Sequence, residues 1–180
     1  VYVDLYALPS AEVPEDEVSD AERSRRLARR LAPTGHPVVS VPAMLARTSD
    51  RAIVVGEPGS GKSTLVQWVA WSIASGSLTD FDLAVVVKLG SFAVALAESG
   101  GETLTGFFFR ALGLTSADAL SAAAHLRHAA RQRRRILLLL DGWDEVPANL
   151  RNEVRPRLLT ECKDFVTVIT SRPSGIPHSL

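Results

Sequence analysis

Residues 52–64 read AIVVGEPGSGKST. Ala52–Val55 suits a short buried strand, and Lys62 onward, continuing LVQWVAWSIA, suits a helix. Between them the chain places Gly56, Glu57, Pro58, Gly59, Ser60 and Gly61. A strand-to-helix turn needs one or two such residues, and every glycine carries an entropic cost. A ligand accounts for the excess. Glycines let consecutive N–H groups turn inward as an anion-binding nest. A helix N-terminus adds unpaired amides and the positive end of its dipole. Gly56-x-x-x-x-Gly61-Lys62-Ser63 completes the Walker A spacing, with Lys62 suited to the β- and γ-phosphates and the Ser63 hydroxyl to Mg²⁺. With glycine at ~7% abundance, this pattern arises by chance in roughly one chain in a hundred. Gly56 to Thr64, side chains of Glu57, Pro58, Ser60 and Thr64 included, is therefore expected to cradle a nucleotide polyphosphate.

The same alternation continues outward. Leu83–Leu89, Ile136–Leu140 and Phe165–Thr170 read as further short apolar strands. Helices are predicted over Lys62–Ala74, Thr103–Leu112, Ser116–Gln132 and Ala148–Cys162. Strands apolar on both faces and separated by helices predict an α/β fold with a mainly parallel sheet covered on both sides. Right-handed crossovers then bring the loops that follow the strands to one edge, where such folds bind ligands. Upstream, Val1–Leu8 reads as a possible strand and Asp20–Leu31 as an arginine-rich helix stopped by Pro33 and Gly35. Residues 1–37 are taken as a separate N-terminal segment and 38–180 as the core.

A second signal stands at Leu137–Glu145, LLLLDGWDE. A buried strand ending in Asp141 has the form of a Walker B element, whose carboxylate holds Mg²⁺. Three acids within five residues repel one another unless a cation or an arginine relieves them. Glu145, with Asp144 as its rival, is positioned to orient or deprotonate an attacking water. The plain alternative for both is capping of the helix that follows. The last strand runs into Thr170-Ser171-Arg172-Pro173, which puts Arg172 at the same edge. It is expected to sense the terminal phosphate by charge-assisted hydrogen bonds, or else to be a surface arginine at a strand exit.

Composition sets the outer limits. The 180 residues carry 20 basic and 20 acidic side chains, so no overall field favours nucleic acid or an anionic membrane. Cys162 is the single cysteine, which excludes an internal disulfide and fits a reducing compartment. No basic-then-apolar leader opens the chain, and the longest aliphatic run is far short of a membrane span. A soluble cytoplasmic domain, part of something longer, is expected.

Taken in order, GEPGSGKST, LLLLDGWDE and ITSRP resemble the NACHT branch of the signal-transducing STAND ATPases. LAVVVKLGSF, the arginines before LLLLDG and the VP after DGWDE add to the likeness, which covers residues 38–177. No guanine-reading Asn-Lys-x-Asp and no Ser-Gly-Gly signature is present. The resemblance implies a three-layer P-loop NTPase with strand order Leu83, Ile136, Phe165, Ala52, and an open sheet edge beside Ala52. It implies a nucleotide switch: ADP holds a closed monomer, and ATP permits self-association that activates fused effector and sensor domains. Lys62 and Ser63 would hold phosphate and Mg²⁺, Asp141 the metal, Glu145 would support hydrolysis and Arg172 would act as sensor. Adenine would lie against the segment around Val39 and Val41. The family's helical and winged-helix modules, with a histidine that contacts ADP, are missing here, and His178 lies too near the strand exit to replace it. A competing reading is an assembly module in which turnover is incidental. A small-molecule kinase would need a basic lid, and the one insert-like stretch, Glu98–Glu102, has no arginine.

Other conspicuous residues read as structural. Trp68 and Trp71, three apart on an apolar helix, are expected in the core, with a partner-binding stripe as the alternative. Phe107–Phe109, Met44 and Cys162 are likewise read as core. His125 and His128 read as surface residues. Trp143 is left between packing and exposure at the site's edge.

Overall fold

The computed structural model describes residues 2–4, 40–132 and 135–173. In chain order the regular elements are β1 (Tyr2–Asp4), α1 (Val41–Arg47), β2 (Arg51–Val55), α2 (Lys62–Ala74), β3 (Leu83–Lys88), α3 (Leu89–Ser99), α4 (Leu104–Ala111), α5 (Ser116–Arg131), β4 (Ile136–Asp141), α6 (Arg151–Glu161) and β5 (Val166–Ser171). They build one parallel sheet ordered β1-β2-β5-β4-β3. The predicted order of the four strands β3, β4, β5 and β2 is the one found. The edge beside Ala52 is not open, however. Tyr2, Val3 and Asp4 pair with Ile53, Val54 and Val55, because a short strand whose amides match those of β2 closes an otherwise unpaired edge. The Asp20–Leu31 helix and His178 lie outside the described residues.

Side chains of β2 to β5 alternate between two cores. On one face Ala52, Val54, Leu137, Leu139 and Val168 pack with Met44 and Leu45 of α1 and Val66, Val69 and Ile73 of α2. On the other, Val85, Val87, Leu138, Leu140 and Ile169 pack with Phe92, Leu96, Leu104, Leu126, Val154 and Leu158 from α3 to α6. Burial on both faces is why β4 reads as an unbroken aliphatic run.

Two helices were not expected. α1 starts at Ser40, whose hydroxyl accepts from the Ala43 N–H, with Pro42 in the first turn. α3 follows β3 without a loop, since Lys88 is both the last strand residue and the helix N-cap. It ends at Gly100 in the left-handed conformation. Glu98–Glu102 is therefore not a free insert. Glu102 pairs with Arg110 of α4. A buried carboxylate ties α6 to α4: Glu161 accepts the Leu104 N–H at 3.0 Å, and burial pushes its pKa up. Burial likewise pushes the Cys162 thiol to about 11, so it stays protonated.

The tryptophans depart from expectation. Trp68 and Trp71 are 44% and 64% exposed, because α2 has only one covered side, formed by Val66, Val69, Ser72 and Ile73. Trp143 is 2% exposed and sits inside the core. Phe107–Phe109 are half-buried at its margin, with Phe107 edge-on to Phe92. His125 and His128 are exposed, as expected.

Candidate functional site

The parallel sheet brings three strand exits together. Pro58 to Thr64 from the loop after β2, Asp141 to Glu145 from the end of β4 (its buried Trp143 excepted), and Thr170 and Arg172 from β5 line one cavity of about 300 Å³. Gly56 and Glu57 do not line it. Val41 stands at the start of α1, partly buried against the core rather than in the cavity, and Val39 lies outside the described residues.

The loop wall is held by one contact to β5 and by others within the loop. The Gly56 N–H donates to the Ser171 carbonyl at 3.2 Å, and the Ser60 N–H to the Glu57 carbonyl at 3.1 Å. Gly61 caps α2 with φ +87°, a left-handed conformation that suits glycine. It offers no side chain to cap the helix, which leaves the first-turn amides for a ligand. Lys62 turns back over the loop. Its Nζ donates to the carbonyls of Gly56 (2.6 Å) and Glu57 (3.0 Å) and to the Ser60 hydroxyl (3.4 Å), all neutral acceptors.

The opposite wall is held by contacts between β4 and β5. Thr170, fully buried, donates its hydroxyl to Asp141 Oδ1 at 2.6 Å and accepts the Gly142 N–H at 2.8 Å. One hydroxyl thus fixes both the carboxylate and the turn after it. Gly142 has φ +79°, a left-handed conformation that favours glycine, and a Cβ there would lie 2.9 Å from the Glu145 carboxyl and displace it. Buried Trp143 anchors that turn.

The three acids separate. Asp141 is held by Thr170. Asp144 meets Arg172 twice: its Oδ1 accepts the Arg172 backbone N–H at 2.9 Å, and its Oδ2 lies 2.8 Å from Nε. Glu145 is exposed at the cavity. The arginine that relieves the acidic crowding is therefore Arg172. Neither Asp144 nor Glu145 caps the next helix, because a turn at Ala148–Leu150 intervenes and α6 starts without a side-chain cap.

Among the described residues no three His, Cys, Asp or Glu side chains converge as a metal cage. The oxygen donors at hand, the Ser63 hydroxyl and the Asp141 carboxylate, suit Mg²⁺, which keeps most of its waters when bound to protein. The charges agree. Lys62 and Arg172 against Asp141, Asp144 and Glu145 leave the cavity walls one negative charge, which a polyphosphate would oppose without a cation. Thr170, like Gly142, is a lining residue to which the sequence reading gave no role. Its signal was a hydroxyl inside an apolar strand, two residues before the arginine.

A parallel sheet whose first glycine loop and second acidic strand end share a cavity defines an α/β P-loop NTPase fold. The description of the NACHT domain family matches residues 50–180, and the chain belongs to that family. A cattle protein, the NLR family CARD domain-containing protein 4 of Bos taurus, is 28% identical over 145 residues, covering 78% of this chain and 13% of that protein. Family membership makes the chain a nucleotide-binding NTPase domain.

Proposed function

We propose that the domain binds Mg-ATP and ADP, hydrolyses ATP slowly, and couples nucleotide state to self-association of a larger cytoplasmic protein with effector and sensor parts. The observation that carries this reading is the shared cavity of the Gly56–Thr64 loop and Asp141. In this reading the loop amides and Lys62 bind the phosphates, with Lys62 exchanging neutral carbonyls for a charged partner. Ser63 and Asp141 hold Mg²⁺, which when bound supplies charge neutralisation at the phosphates. Glu145 takes the proton of the attacking water. Asp144 serves Arg172 instead, holding its guanidinium until the terminal phosphate draws it away. Arg172 meets the terminal phosphate. An exposed Glu145, whose carboxylate is less preorganised than a buried one, supports slow turnover. Among the described residues no helix is long and apolar enough to cross a membrane.

Thermal melting with nucleotide tests the reading. Mg-ADP and Mg-ATP are expected to raise the melting temperature, by about 2–4 °C per kcal/mol of ligand-induced stabilisation, and Mg-GTP to leave it unchanged. Equal shifts with GTP would remove the adenine preference, and no shift with any nucleotide would remove the binding role.

A further inference from the structure

The two cations of the cavity are engaged differently. Lys62 is held by two carbonyls and a hydroxyl, none of them charged. Arg172 is held by a full carboxylate, and the same carboxylate fixes the arginine's own backbone N–H. The Asp144 side chain is 10% exposed against 49% for Arg172, so the acid is the anchored partner and the guanidinium the movable one. The Asp144 main chain is itself held, its carbonyl accepting from Arg151 Nη2 at 3.3 Å.

We propose that Asp144 sets the preference between nucleoside triphosphate and diphosphate by sequestering Arg172 on the protein. The inference rests on the nucleotide-binding reading of the cavity. A phosphate in the loop draws Lys62 away from neutral oxygens, whichever nucleotide brings it. Arg172 must give up a charged partner first, and it does so for a group that carries at least as much charge and reaches the β4–β5 wall. The additional phosphate of a triphosphate is the group that distinguishes the two ligands there. Asp144 thus raises the threshold for the triphosphate state and keeps the rim closed on itself when a diphosphate is bound. It is a specificity-determining residue that acts through Arg172 and touches no reacting atom.

The variant Asp144→Asn isolates this effect, because the amide oxygen can still accept the Arg172 N–H while the ion pair is lost. Calorimetry would compare the affinities of Mg-ADP and the non-hydrolysable adenylyl imidodiphosphate. In the parent background Asp144→Asn should raise the preference for the triphosphate analogue about threefold to fivefold, the scale of a half-exposed ion pair. In an Arg172→Ala background the same substitution should leave the preference unchanged. An equal gain for both ligands, or the same shift without Arg172, would overturn the proposal, since either would report only the loss of a nearby negative charge. Absence of binding by the parent to both ligands would instead overturn the nucleotide reading, and this inference with it. The unaltered protein offers a second readout that needs no folded variant. The Arg172 Nε–H resonance should move on adding the triphosphate analogue and stay put with Mg-ADP, and an identical response to both would sink the idea.

Discussion

The two walls of the cavity are built on different principles. The loop wall is made by residues at most eight positions apart, Gly56 to Thr64, and Lys62 reaches back only five or six residues to the carbonyls it touches. The rim wall joins residues 28 and 29 positions apart, Asp144 to Arg172 and Asp141 to Thr170, and exists only once β4 and β5 pair. A wall made locally can bind as soon as its strand and helix form. A wall made by two strands reports on how those strands sit. Binding therefore belongs to the first wall, and sensing of the ligand's far end to the second.

The comparison can be broken in several places. The largest effect is expected at Glu145→Gln, which should reduce turnover about 10²–10⁴-fold while nucleotide affinity holds, as measured by phosphate release beside calorimetry. Persistent turnover would move the base to another residue. Next comes the anchor of the rim. Trp143→Ala should cost about 3–5 kcal/mol in denaturant unfolding, whereas Trp71→Ser on the outer side of α2 should stay within about 0.5 kcal/mol. Equal costs would mean that the rim turn is not held by the core. A smaller effect is expected at Thr170→Val, which leaves the Gly142 N–H buried without an acceptor, at about 1–3 kcal/mol. That variant should also weaken nucleotide binding about tenfold or more with Mg²⁺ present and leave it unchanged in chelator, because Thr170 orients the Asp141 carboxylate. Loss without regard to Mg²⁺ would make Thr170 a purely structural residue.

What could be read from the residues alone follows the same division. The loop announces itself because its constraint is local: Gly61 needs its conformation, and Lys62 and Ser63 follow it directly. Strand order among β2 to β5 was legible through family resemblance, and the two-faced burial of β4 through its aliphatic run. The Arg172–Asp144 pair was not legible. Periodicity placed both residues at strand exits, but only the pairing of β4 with β5 decides which of two adjacent acids the arginine meets. α3 escaped notice because no turn residue separates it from β3. Trp68 and Trp71 misled because α2 is apolar on every side, so its sequence does not say which side the sheet covers. The strand at Tyr2–Asp4 was visible as a pattern, but its neighbour was not.

The central claim concerns one pocket, with the Lys62 ammonium on one side and the Asp141 carboxylate on the other. It is tested most directly by titrating Mg-ATP into the parent chain and into Lys62→Ala under the same conditions. A positive charge about 4 Å from a phosphate is worth up to ~4 kcal/mol at an effective dielectric near 20, so the substitution should weaken binding about tenfold to a thousandfold. Equal affinity for the two proteins would contradict the account.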